Sequence, residues 1–199
     1  MTTEREALRD LVARQAIVRG PFILSSGGVS PYYFDCKRLT LGSDGAWAVG
    51  HAVADELERL TPRPIAIGGL THGADPIIGA AMMSVRQRGW KLDGFYVRKA
   101  PKAHGTQQHI ENPPRAGAPV VIVDDVITSG TSLIDAIDRT EGETGCTIVA
   151  VIAIVDRLEG GTERIKARVP NAVFKPLFTL GDFPEIEQLK REFNQQPSR

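Results

Sequence analysis

The sequence contains little cysteine and no long apolar run. Cys36 and Cys146 are the only cysteines among 199 residues, so neither a disulfide framework nor a paired-cysteine metal or redox site fits the chain. This cysteine usage, together with an N-terminal segment that has no apolar leader, predicts a cytoplasmic protein. No stretch approaches about 18 uninterrupted apolar residues, so we expect no membrane span.

The sequence also lacks an excess of charge of either sign and two familiar nucleotide-binding motifs. Its 24 basic and 24 acidic residues give a formal net charge of zero, which argues against a protein that coats nucleic acid. Neither GxxxxGK[ST] nor GxGxxG occurs, so the NTPase phosphate loop and the dinucleotide-binding fingerprint are both absent. What is present, 42% hydrophobic and 24% charged residues, is typical of one globular domain.

The first 41 residues predict a surface helix followed by a small cap. Apolar residues recur at helical spacing up to Ile17, and we expect this helix to end near Gly20 and Pro21. Residues 21–41 are aromatic and rich in glycine and serine, which is typical of a hairpin or small cap. Helical spacing then resumes, with Ser43 as the predicted N-cap.

Four apolar runs predict buried strands, at residues 65–67, 95–97, 120–123 and 147–155. Helical patterns separate most of these runs, and a last helix is predicted over 183–193. Alternating strands and helices indicate right-handed β-α-β units, and continuous apolar runs indicate strands covered on both faces. We therefore predict an α/β fold with a central parallel sheet flanked by helices.

Three of the predicted strand ends are followed by chemically active residues. These segments are Gly68–Gly73, Asp124–Ser132 and Asp156-Arg157. In open parallel sheets, ligands bind outside the carboxyl ends of the strands. The coincidence therefore predicts a binding site at this edge of the sheet.

The segment from Asp124 to Ser132 has the chemistry to hold a sugar phosphate. Two adjacent carboxylates accept hydrogen bonds from a diol such as the ribose hydroxyls. The residues that follow lead into a helix N-terminus, whose N–H groups and dipole favour a phosphate. They supply hydroxyls and one small residue: Thr128, Ser129, Gly130, Thr131 and Ser132. The simpler alternative is a solvated turn in which Thr131 is only a helix cap.

Two other segments suit an anionic ligand. The glycines of Gly68–Gly73 allow the backbone to approach an anion closely, although a tight strand-to-helix turn would need the same residues. From Arg86 to His104 there are six basic residues and one acidic residue, which suits a multiply charged phosphate. An ordinary solvated basic loop is the alternative.

Several of these segments resemble a known enzyme family. Residues 120–132, VVIVDDVITSGTS, resemble the phosphoribosyl pyrophosphate (PRPP) motif of the type I phosphoribosyltransferases. Residues 22–27 and 30–35 resemble the N-terminal hood of the orotate phosphoribosyltransferase family, and residues 98–105 resemble its mobile catalytic loop. The resemblance extends from about Phe22 to Arg157, which is most of the chain.

The resemblance implies a single phosphoribosyltransferase domain over residues 1–199, with a hood at about 1–41, a core at about 42–180 and a C-terminal helix at about 182–194. It implies a pentosyltransferase that transfers ribose 5-phosphate from PRPP to N1 of orotate in pyrimidine biosynthesis, giving orotidine 5′-monophosphate and pyrophosphate. Mg²⁺ is the implied cofactor, held mainly through PRPP and water. The implied assembly is a homodimer in which the catalytic loop serves the neighbouring subunit.

The resemblance also implies residue roles. The catalytic residues would be Lys99, Lys102, His104 and Asp125. The orotate site would contain Tyr33, Phe34, Thr128, Arg157 and Ser25.

The PRPP site would be larger. Its ribose hydroxyls would contact Asp124 and Asp125, and its pyrophosphate would contact Thr71 and His72. The 5-phosphate would lie on the loop of Val126, Ile127, Thr128, Ser129, Gly130, Thr131 and Ser132. The residues that close over the pyrophosphate would be Arg98, Lys99, Lys102 and His104.

Two positions depart from the family, because many members have lysine where this chain has Ser25 and His72. Serine removes a cation near orotate, and histidine is only partly charged near neutral pH. Two alternatives remain: a phosphoribosyltransferase for a purine or other base, and a PRPP-sensing regulator that binds nucleic acid. The hood and loop segments argue against the first, and the zero net charge and lack of a spare domain argue against the second.

Overall fold

The N-terminal part forms a helix and a separate two-stranded sheet. The computed structural model describes residues 3–23, 27–100 and 108–195. Helix α1 is Glu4–Gln15, and the antiparallel strands β1 and β2 are Ile17–Ile23 and Val29–Phe34. The Thr3 hydroxyl accepts a hydrogen bond from the Glu6 N–H, and the Glu6 carboxylate accepts one from the Thr3 N–H, which closes a capping box at the start of α1.

The structure corrects the predicted end of the first helix. Helix α1 ends at Gln15, and Gly20 and Pro21 lie inside β1, whose pairing with β2 shifts between Arg19 and Phe22. Gly20 has a φ of 144°, which glycine adopts readily, and proline is tolerated at such irregularities. The glycine–proline pair therefore marks an irregular strand, and the predicted hairpin begins earlier than expected.

A six-stranded sheet forms the centre of the molecule, in the order β5-β4-β3-β6-β7-β8. Its neighbouring strands are parallel except for β5, which pairs antiparallel with β4. The strands are β3 (Ala66–Leu70), β4 (Asp93–Val97), β5 (Ile110–Glu111), β6 (Pro119–Ile127), β7 (Thr147–Asp156) and β8 (Val173–Thr179). The predicted α/β fold with a central, mostly parallel sheet is confirmed.

Helices cover both faces of this sheet. They are α2 (Lys37–Thr40), α3 (Ser43–Glu58), α4 (Asp75–Gln87), α5 (Thr131–Thr144), α6 (Gly161–Arg168) and α7 (Pro184–Asn194), with a 3₁₀ turn at Leu180–Asp182. Within β6, Val121 and Val123 pack in the core that contains α3 and α4, whereas Val120 and Ile122 pack in the core that contains α5. Alternate residues of one apolar run thus enter two cores, as a strand buried on both faces requires.

Some elements escaped the sequence analysis. Ser43 is the first residue of α3 and Gly42 is its N-cap, so the predicted serine cap is wrong by one position. Strand β8 was missed because Lys175 and Pro176 interrupt its apolar pattern, which an edge strand tolerates. Helix α6 was missed as well, since Ile165 is its only large buried side chain. Among the described residues, no helix has the length and apolar character needed to cross a membrane.

Candidate active site

A cavity of about 760 Å³ lies at the carboxyl ends of β3, β4 and β6 and beside the hood strand β2. Two of the three predicted strand ends, those after β3 and within β6, contribute to it. Its lining is Tyr33, Lys37, Leu70, Thr71, His72, Gly73, Tyr96, Arg98, Lys99, Ala100, Glu111, Asp124, Asp125, Val126 and Ser132. The lining therefore contains nine of the predicted site residues: Tyr33, Thr71, His72, Arg98, Lys99, Asp124, Asp125, Val126 and Ser132.

An acidic pair forms the floor of the cavity. Asp124 is only 7% exposed, and its Oδ1 accepts a hydrogen bond from the Asp125 N–H at 2.9 Å. The Oδ1 of Asp125 accepts one from the Val126 N–H at 2.9 Å. Burial, and next the charge of Asp125, raise the pKa of Asp124 to about 7, while Lys99 acts in the opposite direction. Asp124 therefore changes its charge near neutral pH.

The loop after β3 reaches the acidic pair because it contains Gly73. A Cβ at this position would lie 2.7 Å from Asp124 Oδ1 and 2.8 Å from Asp125 Oδ1, so only glycine lets the two loops approach this closely. The Thr71 N–H donates to the Val97 carbonyl at 2.9 Å, which ties the loop to β4. His72 lies at the rim with its Nδ1 3.2 Å from Asp75 Oδ2. Thr71 and His72 thus both line the cavity, close to the acidic pair.

The loop between β6 and α5 is shaped for a phosphate. Gly130 has a φ of 75°, which turns the chain so that α5 begins at Thr131 with its N–H groups facing outward. Thr131 Oγ1 lies 3.0 Å from Ser129 Oγ, and both residues are exposed. Val126 and Ser132 line the cavity, whereas the Ile127 side chain is buried in the core, so Ile127 offers a ligand only its backbone.

Arg164 of α6 was missed by the sequence analysis, although it supports this loop. Its guanidinium donates to the Ser129 carbonyl at 2.6 Å and to Thr131 Oγ1 at 3.3 Å. No sequence signal placed it there, because α6 itself was not predicted. The contact brings a permanent positive charge next to the candidate phosphate loop.

The two predicted hood aromatics have different environments. Tyr33 is 44% exposed and lines the cavity, with its ring centroid 5.7 Å from that of Phe22. Phe34 is 3% exposed and packs edge-on against Phe183 at 5.7 Å. Successive residues of a strand face opposite sides, so only one of the two faces the cavity. The expectation that Phe34 contacts orotate is therefore corrected: its side chain belongs to the core.

Arg157 follows β7 and lies next to the phosphate loop. Its backbone N–H donates to the Ile127 carbonyl at 2.9 Å, which places it beside Thr128. Its side chain is nearly buried, pairs with Glu159 at 2.7 Å and stacks 5.7 Å from the Tyr32 ring centroid. Within the described parts of the chain, the Arg157 Nε has no hydrogen-bond partner. This donor is buried, and Arg157 is not among the residues that line the cavity.

The basic segment after β4 is described only at its start. Arg98 and Lys99 line the cavity, and the Arg98 guanidinium lies 3.2 Å from Glu111 Oε1. The Arg98 N–H also donates to the His109 carbonyl at 2.8 Å, which joins the two ends of the segment. The predicted site residues Ser25, Lys102 and His104 lie outside the described residues.

Comparisons with known proteins show the family to which the chain belongs. A family model of the phosphoribosyl transferase domain matches residues 45–175. The orotate phosphoribosyltransferase of Rhodopirellula baltica is 40% identical over 177 residues, which cover 87% of this chain and 90% of that protein. The chain belongs to the orotate phosphoribosyltransferase family. A further member, from Thermosynechococcus vestitus, is 40% identical over 180 residues, covering 89% of this chain and 92% of that protein.

Solved structures of orotate phosphoribosyltransferases share the fold. The Mycobacterium tuberculosis enzyme in complex with Fe(III) dicitrate has a TM-score of 0.78 and 34% identity, covering 90% of this chain and 98% of that chain. The same enzyme in complex with PRPP has a TM-score of 0.75 and 31% identity, with the same coverage of 90% and 98%. The predicted type I phosphoribosyltransferase fold is confirmed.

Proposed function

We propose that the protein transfers the 5-phosphoribosyl group of PRPP to N1 of orotate, forming orotidine 5′-monophosphate and pyrophosphate. The observation that carries the proposal is the shared cavity of the acidic pair and the hood tyrosine, beside the phosphate loop. The acidic pair faces the ribose of PRPP, the phosphate loop faces its 5-phosphate, and the hood tyrosine faces orotate. PRPP and orotate bound together therefore use all three features. Family membership supports the same reaction.

The carboxylates of Asp124 and Asp125 accept hydrogen bonds from the ribose hydroxyls of PRPP. The 5-phosphate lies against the N-terminal N–H groups of α5, where the helix dipole and the Ser129, Thr131 and Ser132 hydroxyls stabilise its charge. These two contacts fix the ribose at both ends. The anomeric carbon is thereby held at a defined distance from the hood.

Orotate enters between the hood and the ribose. Tyr33, which lines the cavity, packs against its ring, and Thr128 and Arg157 are proposed to hold its polar groups. N1 then displaces pyrophosphate at the anomeric carbon through an oxocarbenium-like transition state. The bond from N1 to the carbon forms as the bond from the carbon to the pyrophosphate oxygen breaks. Both electrons of the broken bond leave with pyrophosphate, and the N1 proton of orotate is released to solvent.

Positive charge near the leaving group lowers the barrier. Arg98 and Lys99 supply it from the described part of the basic segment, and Lys102 and His104 are proposed to add to it. Lys102→Ala is expected to lower kcat more than it weakens PRPP binding, because a contact made in the transition state affects kcat. A change confined to the PRPP KM would assign Lys102 to substrate binding instead.

Mg²⁺ is proposed to bind together with PRPP, mainly through substrate oxygens and water. Within the described residues, no group of three or more His, Cys, Asp or Glu side chains could hold a metal ion. A hard cation that retains water and binds substrate oxygens needs no such cage. Bound in this way, Mg²⁺ would neutralise pyrophosphate charge, while Asp124 and Asp125 keep their place at the ribose hydroxyls.

We also propose that the protein is a cytoplasmic homodimer whose basic segments act in the neighbouring subunit. The exposed apolar side chains of Trp47 on α3 and Met83 on α4 favour a self-association surface on these helices. His51 lies one turn after Trp47 on α3 and contacts Ser84, the residue after Met83 on α4. The exposed side chains of Trp47 and Met83 therefore lie on adjoining helices. Mixing two inactive variants, Lys102→Ala and Asp125→Asn, should restore part of the activity if the loop acts in the partner.

One assay tests the reaction itself. Orotate absorbance should fall when PRPP and Mg²⁺ are added to the protein, and orotidine 5′-monophosphate should appear in equal amount. Uracil and purine bases serve as control substrates, and chelation of divalent cations should stop the reaction. Turnover of a purine or of uracil, without turnover of orotate, would refute the proposed substrate.

A further inference from the structure

Lys37 lines the cavity, although none of the sequence motifs gives it a role. It is the first residue of α2, directly after the hood strand and Cys36. Cys36 and Leu39 are both fully buried, which fixes the short helix against the core. Lys37 is left on the cavity side with half of its side chain exposed.

The Lys37 ammonium lies beside the acidic pair. Its Nζ is 3.9 Å from Asp125 Oδ2, while Asp125 Oδ1 accepts the hydrogen bond from the Val126 N–H. The Val126 N–H holds Oδ1 by a hydrogen bond, whereas the Lys37 ammonium lies at the outer limit of ion-pair distance from Oδ2. This arrangement places a positive charge beside Oδ2 and leaves that oxygen within reach of a ligand.

Few other charges in the described lining can offset the acidic pair. The acidic and basic side chains of the described lining, apart from His72, are Lys37, Arg98, Lys99, Glu111, Asp124 and Asp125. Arg98 is paired with Glu111 at 3.2 Å, and the His72 ring is directed toward Asp75 at the rim. Among the described residues, Lys37 and Lys99 are thus the cations that act directly on the pair.

The buried thiol next to Lys37 adds no further charge. Burial, and next the charge of Asp125, raise the pKa of the Cys36 thiol well above its ordinary value, so Cys36 stays neutral. A ligand with several phosphate charges that approaches two adjacent carboxylates needs a compensating cation nearby. Lys37 is placed to supply it.

We propose that Lys37 is a positioning residue for PRPP that holds the Asp125 carboxylate toward the ribose hydroxyls and offsets the charge of the acidic pair. The inference rests on the proposed function, because PRPP is the ligand that brings both a diol and a pyrophosphate. Orotate lies on the hood side, so Lys37 acts mainly on PRPP. The predicted signature is a selective loss of PRPP affinity.

The test compares Lys37→Met, which keeps the aliphatic chain and removes the charge, with Lys37→Arg, which keeps the charge. PRPP binding is measured by titration calorimetry with Mg²⁺ present, and KM is measured for both substrates. Lys37→Met should raise the PRPP Kd and KM about tenfold, as expected for the loss of one charge-assisted contact, with the orotate KM changed less than about twofold. Lys37→Arg should restore most of the affinity.

Arg38→Met is the matched control, because it removes one positive charge from the same short helix at a position outside the described cavity lining. Equal losses in Lys37→Met and Arg38→Met would mean that general surface charge is responsible, which overturns the inference. Unchanged or tighter PRPP binding in Lys37→Met would also overturn it, as would an equal loss in Lys37→Arg.

The experiment separates this inference from the proposed function. If the wild-type protein binds PRPP and turns over orotate while Lys37→Met behaves identically, the function stands and the role of Lys37 is wrong. If the wild-type protein does not bind PRPP, both are wrong. A melting temperature measured for each variant identifies any loss of affinity that comes from unfolding.

Discussion

Asp124→Asn should make the free protein more stable at alkaline pH while weakening its hold on PRPP. The wild-type carboxylate is 7% exposed and lies directly beside Asp125, which raises its pKa from the ordinary 3.8 to about 7. Asparagine keeps the oxygen that accepts the Asp125 N–H and cannot ionise. The substitution therefore removes a buried charge and preserves the local hydrogen bond.

The sign of the pH dependence follows from proton binding. Between pH 3.8 and about 7 the unfolded chain has lost the Asp124 proton while the folded protein retains it, so this group lowers stability as pH rises. The loss is complete above about pH 7 and amounts to about 4 kcal/mol. Between pH 5 and pH 8 the difference in stability between Asp124→Asn and wild type should grow by about 3 kcal/mol in favour of the variant.

Urea unfolding at pH 5, 6, 7 and 8 measures this difference in stability. In thermal melting, the melting temperature of Asp124→Asn relative to wild type should rise by roughly 6–12 °C between pH 5 and pH 8. Asp93→Asn, an exposed aspartate at the start of β4, is the control for the loss of one carboxylate and should show no such trend. PRPP binding at pH 8 should weaken about tenfold in Asp124→Asn, since a neutral amide accepts hydroxyl bonds less strongly. Equal pH profiles for wild type and Asp124→Asn would refute the reasoning.

Three further substitutions test other parts of the site. Tyr33→Ala should raise the orotate KM about tenfold, because the ring lines the cavity. Phe34→Ala should instead lower the free energy of unfolding by about 3–5 kcal/mol, because its ring is buried in the core. The orotate KM and a urea unfolding curve, measured for both variants, test these two expectations. Arg164→Leu should raise the PRPP Kd several-fold in calorimetry, since the Ser129 carbonyl loses its donor, and an unchanged Kd would mean that the loop holds its shape alone. His72→Lys should tighten pyrophosphate binding because lysine is fully charged near neutral pH, and equal affinity in the two proteins would place His72 outside the leaving-group site.

The sequence analysis located the site because its strongest signals are local. A continuous apolar run that ends in two aspartates, followed by hydroxyl residues and a helix, specifies strand, loop and helix within 20 residues. The strand end after β3 was recognised in the same way, and both line the cavity. In each of these segments the local sequence predicts the strand, the loop and the helix. Because the carboxyl ends of parallel strands lie at the same edge of the sheet, the order of the elements was enough to predict that these loops lie close together.

The features of the site that the sequence did not predict depend on contacts between segments that are distant along the chain. Arg164 donates to the Ser129 carbonyl from a position 35 residues farther along the chain. Helix α6, which carries Arg164, has too few apolar residues for a helical pattern of hydrophobicity to predict it. Lys37 lies near the acidic pair because the fold brings the start of α2 close to the end of β6. No pattern within either segment contains that information.

The two hood aromatics illustrate where resemblance and physics diverge. Tyr33 and Phe34 are adjacent, and a family motif treats them as one unit, but a strand directs adjacent side chains to opposite faces. The hood is a two-stranded sheet, and one face of β2 lines the cavity through Tyr33 while the other packs on the core, where Phe34 meets Phe183. Tyr33 also carries a hydroxyl that is satisfied in a wet cavity and would cost free energy in the core. The alternation of the strand thus places Tyr33 in the cavity and Phe34 in the core.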